Sequence, residues 1–316
     1  MKDYEHIPVM LEEVIAGLNI KAGGIYVDCT MGGAGHAAEI LKRLSTGYLY
    51  CFEQDDYAIT RGSEVLSSIS DRFKIISDNF VNLKARLQAL NVNAVDGILY
   101  DLGVSSFQLD IGERGFSYNQ DARLDMRMDT SSNLTAYEIV NTYSYEELKR
   151  IFYTYGEEKF SPRIASKIIE SRQIKPITTT LELSEIIKEA IPAFARRKGG
   201  HPAKKVFQAL RIAVNDELNV FEKSLTDALS LLKEGGRIAV ITFHSLEDRI
   251  CKRLFKSKTE IITPRGLPIK ASELKPEYRL INRKVITPSE EEIKRNHRAH
   301  SAKLRIIERI KEENNE

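Results

Sequence analysis

Apolar positions in the first hundred residues fall into short runs separated by longer mixed stretches. Four runs read as strands: Ile25–Cys29 (IYVDC), Tyr48–Phe52 (YLYCF), Phe73–Ser77 (FKIIS) and Gly97–Asp101 (GILYD). The stretches between them, His36–Leu44, Tyr57–Ile69 and Val81–Leu90, read as helices. Strands alternating with helices predict βαβ units on a parallel sheet covered on both faces.

That rhythm stops at about Asp110. From there to Gly200 the signals are helical. Thr135-Ala-Tyr-Glu138, Ser144-Tyr-Glu-Glu147 and Thr179-Thr-Leu-Glu182 have capping-box spacing, and Ser161-Pro162 places a cap residue before a first-turn proline. The sheet pattern then returns. Phe207, Leu210, Val214, Leu218, Phe221, Leu225, Ala228 and Leu232 recur at spacings of three and four, so they lay one helical face, or two consecutive ones, on a core. Gly235-Gly236 ends the stripe. Arg237–Phe243 (RIAVITF) reads as a buried strand, Ser245–Phe255 as a helix and Ala302–Ile310 as a late strand. An α/β sheet split in sequence by an all-helical block is the expected architecture, with residues 1–109 and 205–316 forming the sheet domain and 110–204 the insertion.

Length and composition support this reading. The chain has 316 residues, enough for one large domain carrying an insertion, and its 42% hydrophobic and 29% charged residues are ordinary for a globular protein. No apolar run approaches the roughly 20 residues of a membrane span, and the N-terminus has no apolar signal core, so a cytoplasmic location is expected. The three cysteines, Cys29, Cys51 and Cys251, suit neither a zinc site nor a disulfide framework. His297 and His300 lack a third ligand nearby, and no metal is expected. A net charge of +2 means that any phosphate contacts must come from local patches.

The most informative segment is Asp28-Cys-Thr-Met-Gly-Gly-Ala-Gly-His36. It follows the first strand and opens the first predicted helix. Glycines there let the backbone approach a ligand, and a helix N-terminus offers free N–H groups. Glu53, at the end of the second strand, can accept the ribose hydroxyls of an adenosine. The glycine count alone does not separate a dinucleotide from another adenosine cofactor, but no P-loop pattern is present. S-adenosylmethionine carries a sulfonium cation and a carboxylate. It suits a loop of N–H donors beside acids, and Asp28 and Asp101 can face the cation. Phe80 is a candidate for stacking on adenine, against the alternative of core packing, and Gln108 lies just past the fourth-strand loop.

Six longer strings accompany Gly33-Ala-Gly-His36. They are Asp101-Leu-Gly-Val-Ser-Ser-Phe-Gln-Leu-Asp110, Glu113-Arg-Gly-Phe-Ser117, Leu124-Asp-Met-Arg-Met-Asp129, Tyr155-Gly-Glu-Glu158, Phe207-Gln-Ala-Leu-Arg-Ile-Ala-Val-Asn215 and Phe243-His-Ser-Leu-Glu-Asp-Arg249. Together they resemble the 16S rRNA cytosine-N4-methyltransferase family across nearly the whole chain. The resemblance implies a Rossmann-like class I methyltransferase fold, mostly a parallel doubly wound sheet, with the helical insertion recognising substrate. It implies S-adenosylmethionine contacts at Ala34, Gly35, His36, Glu53, Phe80, Asp101 and Gln108. It also implies a cytosine in the decoding region of 16S rRNA as target, met within the small ribosomal subunit. Glu53 stands where the family usually has Asp, and Asn296-His-Arg-Ala-His-Ser301 lacks one arginine of the usual motif.

Transfer to an exocyclic amine depends mostly on positioning, because the methyl donor is already activated. Asp101, or its loop carbonyls, is expected to orient the amine or to hold the cofactor. The target base must leave its stack, and Phe107, Phe116 and Tyr118 are candidate receiving surfaces beside ordinary core roles. His244 and Ser245 are expected to open onto the same cleft. Arg196–Lys205 and Arg249–Lys258 are the basic runs available to phosphates, although most such runs are solvated faces. Competing readings are a DNA amino-methyltransferase, which normally shows a Pro-Pro-aromatic after the fourth strand, a nicotinamide oxidoreductase, and a non-catalytic rRNA-binding assembly factor. The sequence does not decide between monomer and homodimer.

Overall fold

The computed structural model describes residues 7–104, 112–196, 200–260 and 276–310. Gln108 and Phe107 lie outside the described residues, as do positions 197–199 of the first basic run. The chain divides into two compact units, 1–103 with 218–316, and 104–217.

The first unit is built on a seven-stranded sheet in the order β3-β2-β1-β4-β5-β7-β6. Its strands are β1 (Ile25–Asp28), β2 (Tyr48–Glu53), β3 (Phe73–Ser77), β4 (Val95–Asp101), β5 (Leu232–Thr242), β6 (Tyr278–Leu280) and β7 (Lys303–Arg309). Strands β1 to β5 pair in parallel, and β7 runs antiparallel to both β5 and β6. Alternate side chains serve opposite faces, as the two-residue strand period demands. Leu99 belongs to one apolar layer, where it meets α1 (Leu11–Leu18), α2 (Gly35–Lys42) and α3 (Asp56–Ser67). Ile98 and Tyr100 belong to the other layer, with Leu83 and Leu87 of α4 (Leu83–Ala89) and Phe221, Leu225 and Ala228 of a later helix (Glu217–Leu231). The near-continuous burial of β4 is what a central strand covered on both faces requires.

The second unit is helical. It contains α5 (Ala136–Thr142), α6 (Tyr145–Thr154), α7 (Ser161–Ile174), α8 (Thr180–Ala190), the short α9 (Ala193–Arg196) and α10 (Lys204–Asn215) around a core of its own. Thr135 and Ser144 form complete capping boxes with Glu138 and Glu147. Thr179 forms half of one: its hydroxyl accepts from the Glu182 amide, but the Glu182 carboxylate reaches the Thr178 amide instead. Ser161 is the first residue of α7 and gives no side-chain cap.

Several expectations change. Strand β5 begins at Leu232 and runs through Gly235-Gly236 instead of starting at Arg237. The stripe from Phe207 to Leu232 breaks at Asp216, which turns left-handed at φ 49°. Phe207, Leu210 and Val214 therefore enter the helical unit's core, whereas Phe221, Leu225 and Ala228 of α11 (Glu217–Leu231) lie under the sheet. Helix α10 consequently sits with the insertion, and the second boundary falls at Glu217 rather than at 204. Strand β6 and helix α1 have no counterpart in the expected elements. Three residues of β6 are too few to show a period. Helix α12 (Ser245–Thr259) runs four residues beyond its expected end, and the short α13 (Glu290–Arg295) precedes β7. Among the described residues no helix is long and apolar enough to cross a membrane.

Candidate active site

Three adjacent parallel strands, β2, β1 and β4, each end in an acid: Glu53, Asp28 and Asp101. Ligands of open α/β sheets bind beyond the carboxyl ends of such strands. The loop after β1 makes left-handed turns at Gly32 (φ 48°) and Ala34 (φ 60°), and α2 begins at Gly35 with no side-chain cap on its first turn. A helix start of this kind suits an anion, because the positive end of the helix dipole lies there. A Cβ on Gly35 would sit 3.0 Å from the Pro8 ring, so glycine lets the N-terminal segment lie against this loop.

Glu53 holds the loop directly. Its Oε2 accepts from the Gly32 amide at 2.9 Å, and its Oε1 accepts from the amides of Gln54 at 2.8 Å and Asp55 at 3.0 Å. A carboxylate has about four lone-pair positions. Three donors leave room for one more full bond, so a second ribose hydroxyl has to share a lone pair or displace an amide. Burial raises the Glu53 carboxyl, and the three amides pull it back down.

Asp28 is 1% exposed. Its Oδ1 accepts from the Thr30 amide at 3.0 Å, forming an Asx-type turn. The Thr30 hydroxyl in turn accepts from the Asp101 amide at 2.7 Å, which ties the tips of β1 and β4 together. Burial pushes the Asp28 carboxyl up to about 7, with Glu53 adding to the shift and Thr30 opposing it. Asp101 is held well above the usual carboxylate range by burial, then by Asp28 and Glu247. Its Oδ2 lies 3.6 Å from His36 Nδ1, and its Oδ1 is buried with no partner among the described residues. Buried acids crowded this way favour a bound cation, which would offset both desolvation and mutual repulsion.

Phe80 stands at the β3 tip, partly exposed, with its ring edge-on to Tyr100 at 5.7 Å. Its carbonyl accepts from Ser224 Oγ at 2.8 Å, and that hydroxyl also bonds the Tyr100 hydroxyl at 2.7 Å. The ring is therefore packed on Tyr100, and the residue as a whole stays partly exposed. In the helical unit, Phe116 is buried and Tyr118 stacks on His201 at 4.4 Å.

At the β5 tip, His244 caps α12. Its Nδ1 accepts from the Glu247 amide at 3.4 Å, while Glu247 Oε2 accepts from the amides of Phe243 at 2.7 Å and His244 at 3.2 Å. This box escapes a search for Ser, Thr, Asp or Asn in the cap position, because histidine fills it. Thr30 and Glu247 are the site residues that the sequence reading missed. The Asp28-Cys-Thr30 spacing was the available signal for Thr30.

The strand order and the antiparallel β7 define a Rossmann-like class I methyltransferase fold. Residues 3–310 match the MraW methylase family, and the chain belongs to it. It is 60% identical over 310 residues to the ribosomal RNA small subunit methyltransferase H of Exiguobacterium sibiricum, covering 98% of this chain and 99% of that one. The protein of the same name from Limosilactobacillus fermentum is 55% identical over 314 residues, covering 98% of this chain and all of its own.

Proposed function

We propose that this protein transfers a methyl group from S-adenosylmethionine to the exocyclic N4 amine of a cytosine in 16S rRNA, within the small ribosomal subunit in the cytoplasm. The observation that carries the reading is the pair Asp28 and Asp101 on adjoining strand tips, the first buried and the second with a buried, orphaned carboxylate oxygen. Family membership and the names of the relatives support the class of reaction and the RNA.

The residues fit S-adenosylmethionine. Asp28 and Asp101 supply negative charge for a sulfonium. The uncapped start of α2, at Gly35 and His36, supplies N–H groups for a carboxylate. Glu53 retains room for a ribose hydroxyl, and the partly exposed Phe80 is available to adenine. When bound, the cofactor supplies a methyl group already activated for displacement. The remaining work falls to this chain. Its acids replace the water that would otherwise solvate a cation, and they do so from fixed positions. Asp101 Oδ1 accepts an N–H of the target amine, which helps localise the nitrogen lone pair. Held by these residues, S-adenosylmethionine would supply its methyl group to N4, and the nitrogen would then have a proton to lose. The proton lost from N4 passes to the Asp101 carboxylate.

Asp101→Ala separates the roles. Calorimetry with S-adenosylmethionine and a methyl-transfer assay on small subunits are run on the same preparation. The expected result is a loss of at least about 100-fold in kcat, the lower range for removing a positioned acid or base. Wild-type kcat together with wild-type affinity removes Asp101 from the site.

A further inference from the structure

Among the described residues, three buried side-chain atoms lack a hydrogen-bond partner: Arg72 Nε, Asp101 Oδ1 and His244 Nε2. Two of the three stand on paired strand tips. Asp101 is in register with Ile241, the Leu102 amide donates to the Ile241 carbonyl at 3.1 Å, and the Phe243 ring lies 3.3 Å from where a Cβ on Gly103 would be.

The two atoms have opposite chemistry. Asp101 Oδ1 is an acceptor. His244 Nδ1 accepts from the Glu247 amide, so the ring's hydrogen is on Nε2, and Nε2 is a donor. Glu247 Oε1 lies 3.1 Å from Nε2 but off its N–H direction, so no bond forms. The His244 side chain is 9% exposed. An unsatisfied donor at that depth costs free energy unless a ligand pairs with it.

A cytosine presents an amine donor at N4 next to a ring acceptor at N3. Uracil presents an acceptor and then a donor. We infer that His244 Nε2–H donates to the ring acceptor beside the amine that Asp101 Oδ1 receives, so that the pair selects an amino-bearing base over a keto one. His244 is thereby a specificity-determining residue of the reaction. The inference rests on the cytosine-N4 reading above.

Two variants separate base recognition from helix capping. Asn at 244 keeps a cap acceptor near the Nδ1 position and loses the donor at Nε2. Gln at 244 reaches the Nε2 position with an amide donor and is a poor cap. Wild type, His244→Asn and His244→Gln are assayed for kcat/KM on small subunits reconstituted with rRNA carrying cytidine or 3-deazacytidine at the target. 3-Deazacytidine keeps the amine and lacks the N3 acceptor. Affinity for S-adenosylmethionine serves as the check on folding. We expect wild type to lose about 10- to 100-fold on 3-deazacytidine. His244→Asn should show a similar loss on cytidine and no further loss on 3-deazacytidine, while His244→Gln keeps most activity and the discrimination. The opposite ranking, with Asn active and Gln impaired, assigns His244 to capping alone and overturns the inference. Wild-type transfer that is equal on both RNAs overturns it while leaving the function intact. No transfer by wild type to either RNA overturns both.

Discussion

His36 Nδ1 lies 3.6 Å from Asp101 Oδ2, while the other ring nitrogen, Nε2, lies 2.9 Å from the carbonyl oxygen of Val9. A carbonyl accepts and cannot donate, so Nε2 carries hydrogen and Nδ1 faces the carboxyl group. The imidazole therefore connects the N-terminal segment to Asp101 at the tip of β4.

His36→Gln tests that connection. A glutamine can keep the bond to Val9 but leaves no ring nitrogen beside Asp101. The variant should lower kcat by less than Asp101→Ala does, measured by methyl transfer on small subunits. A wild-type kcat would place His36 outside the support of Asp101.

Asp28 gives a sign-definite dependence of ligand affinity on pH. Its carboxyl is raised to about 7, and the ionised form is the one that attracts a sulfonium. Affinity for S-adenosylmethionine should fall about tenfold for each pH unit below 7 and level off above about 8. Binding near pH 7 should release a fraction of a proton. Calorimetry in buffers of different ionisation enthalpy reads that release directly, and a pH-independent affinity between 6 and 8 would contradict it.

The same group sets a stability trade-off. Its folded value near 7 exceeds the ordinary 3.8, so the folded state holds the proton longer than the unfolded chain. Stability is therefore lost as pH rises from about 4 to about 7, by on the order of 4 kcal/mol once both states are ionised. Asp28→Asn can still accept the Thr30 amide but carries no charge. The cofactor-free variant should melt higher than wild type at pH 8, with the advantage shrinking toward pH 4, and should bind S-adenosylmethionine at least tenfold more weakly. Equal melting temperatures at pH 8 would show that Asp28 is not strained by burial.

In the helical unit, Asn215 links separated backbone groups. Its Oδ1 accepts from the Met128 amide and its Nδ2 donates to the Met126 carbonyl, both at 2.8 Å. Met126 is itself left-handed at φ 63°. Asn215→Ala leaves both groups without these bonds and should cost about 2 kcal/mol in denaturant unfolding. Calorimetric affinity for S-adenosylmethionine, whose proposed site is in the other unit, should stay within twofold.

What the sequence made legible follows the range of the forces involved. Strand β3 appears with the limits expected, and β1, β2 and β4 differ by one or two residues at an end, because buried strands between turns carry strong local patterns. The acids at their tips were legible for the same reason: a strand's last residue is a position on the chain. Asp216 was not, since a single left-handed residue leaves the apolar spacing intact while sending Val214 and Phe221 to different cores. Nor was the use of Glu53 to hold Gly32, which joins residues 21 apart through a bond that no periodicity records. The orphaned atoms of Asp101 and His244 depend on burial and hydrogen-bond direction together, and only a folded chain defines these.

Mass spectrometry of small-subunit rRNA from cells with and without this protein tests the central claim most directly. The account predicts one decoding-region fragment whose cytidine loses its N4-methyl group in the deletion strain and regains it with the wild-type chain but not with Asp101→Ala. An unchanged set of rRNA methylations in the deletion strain would contradict it.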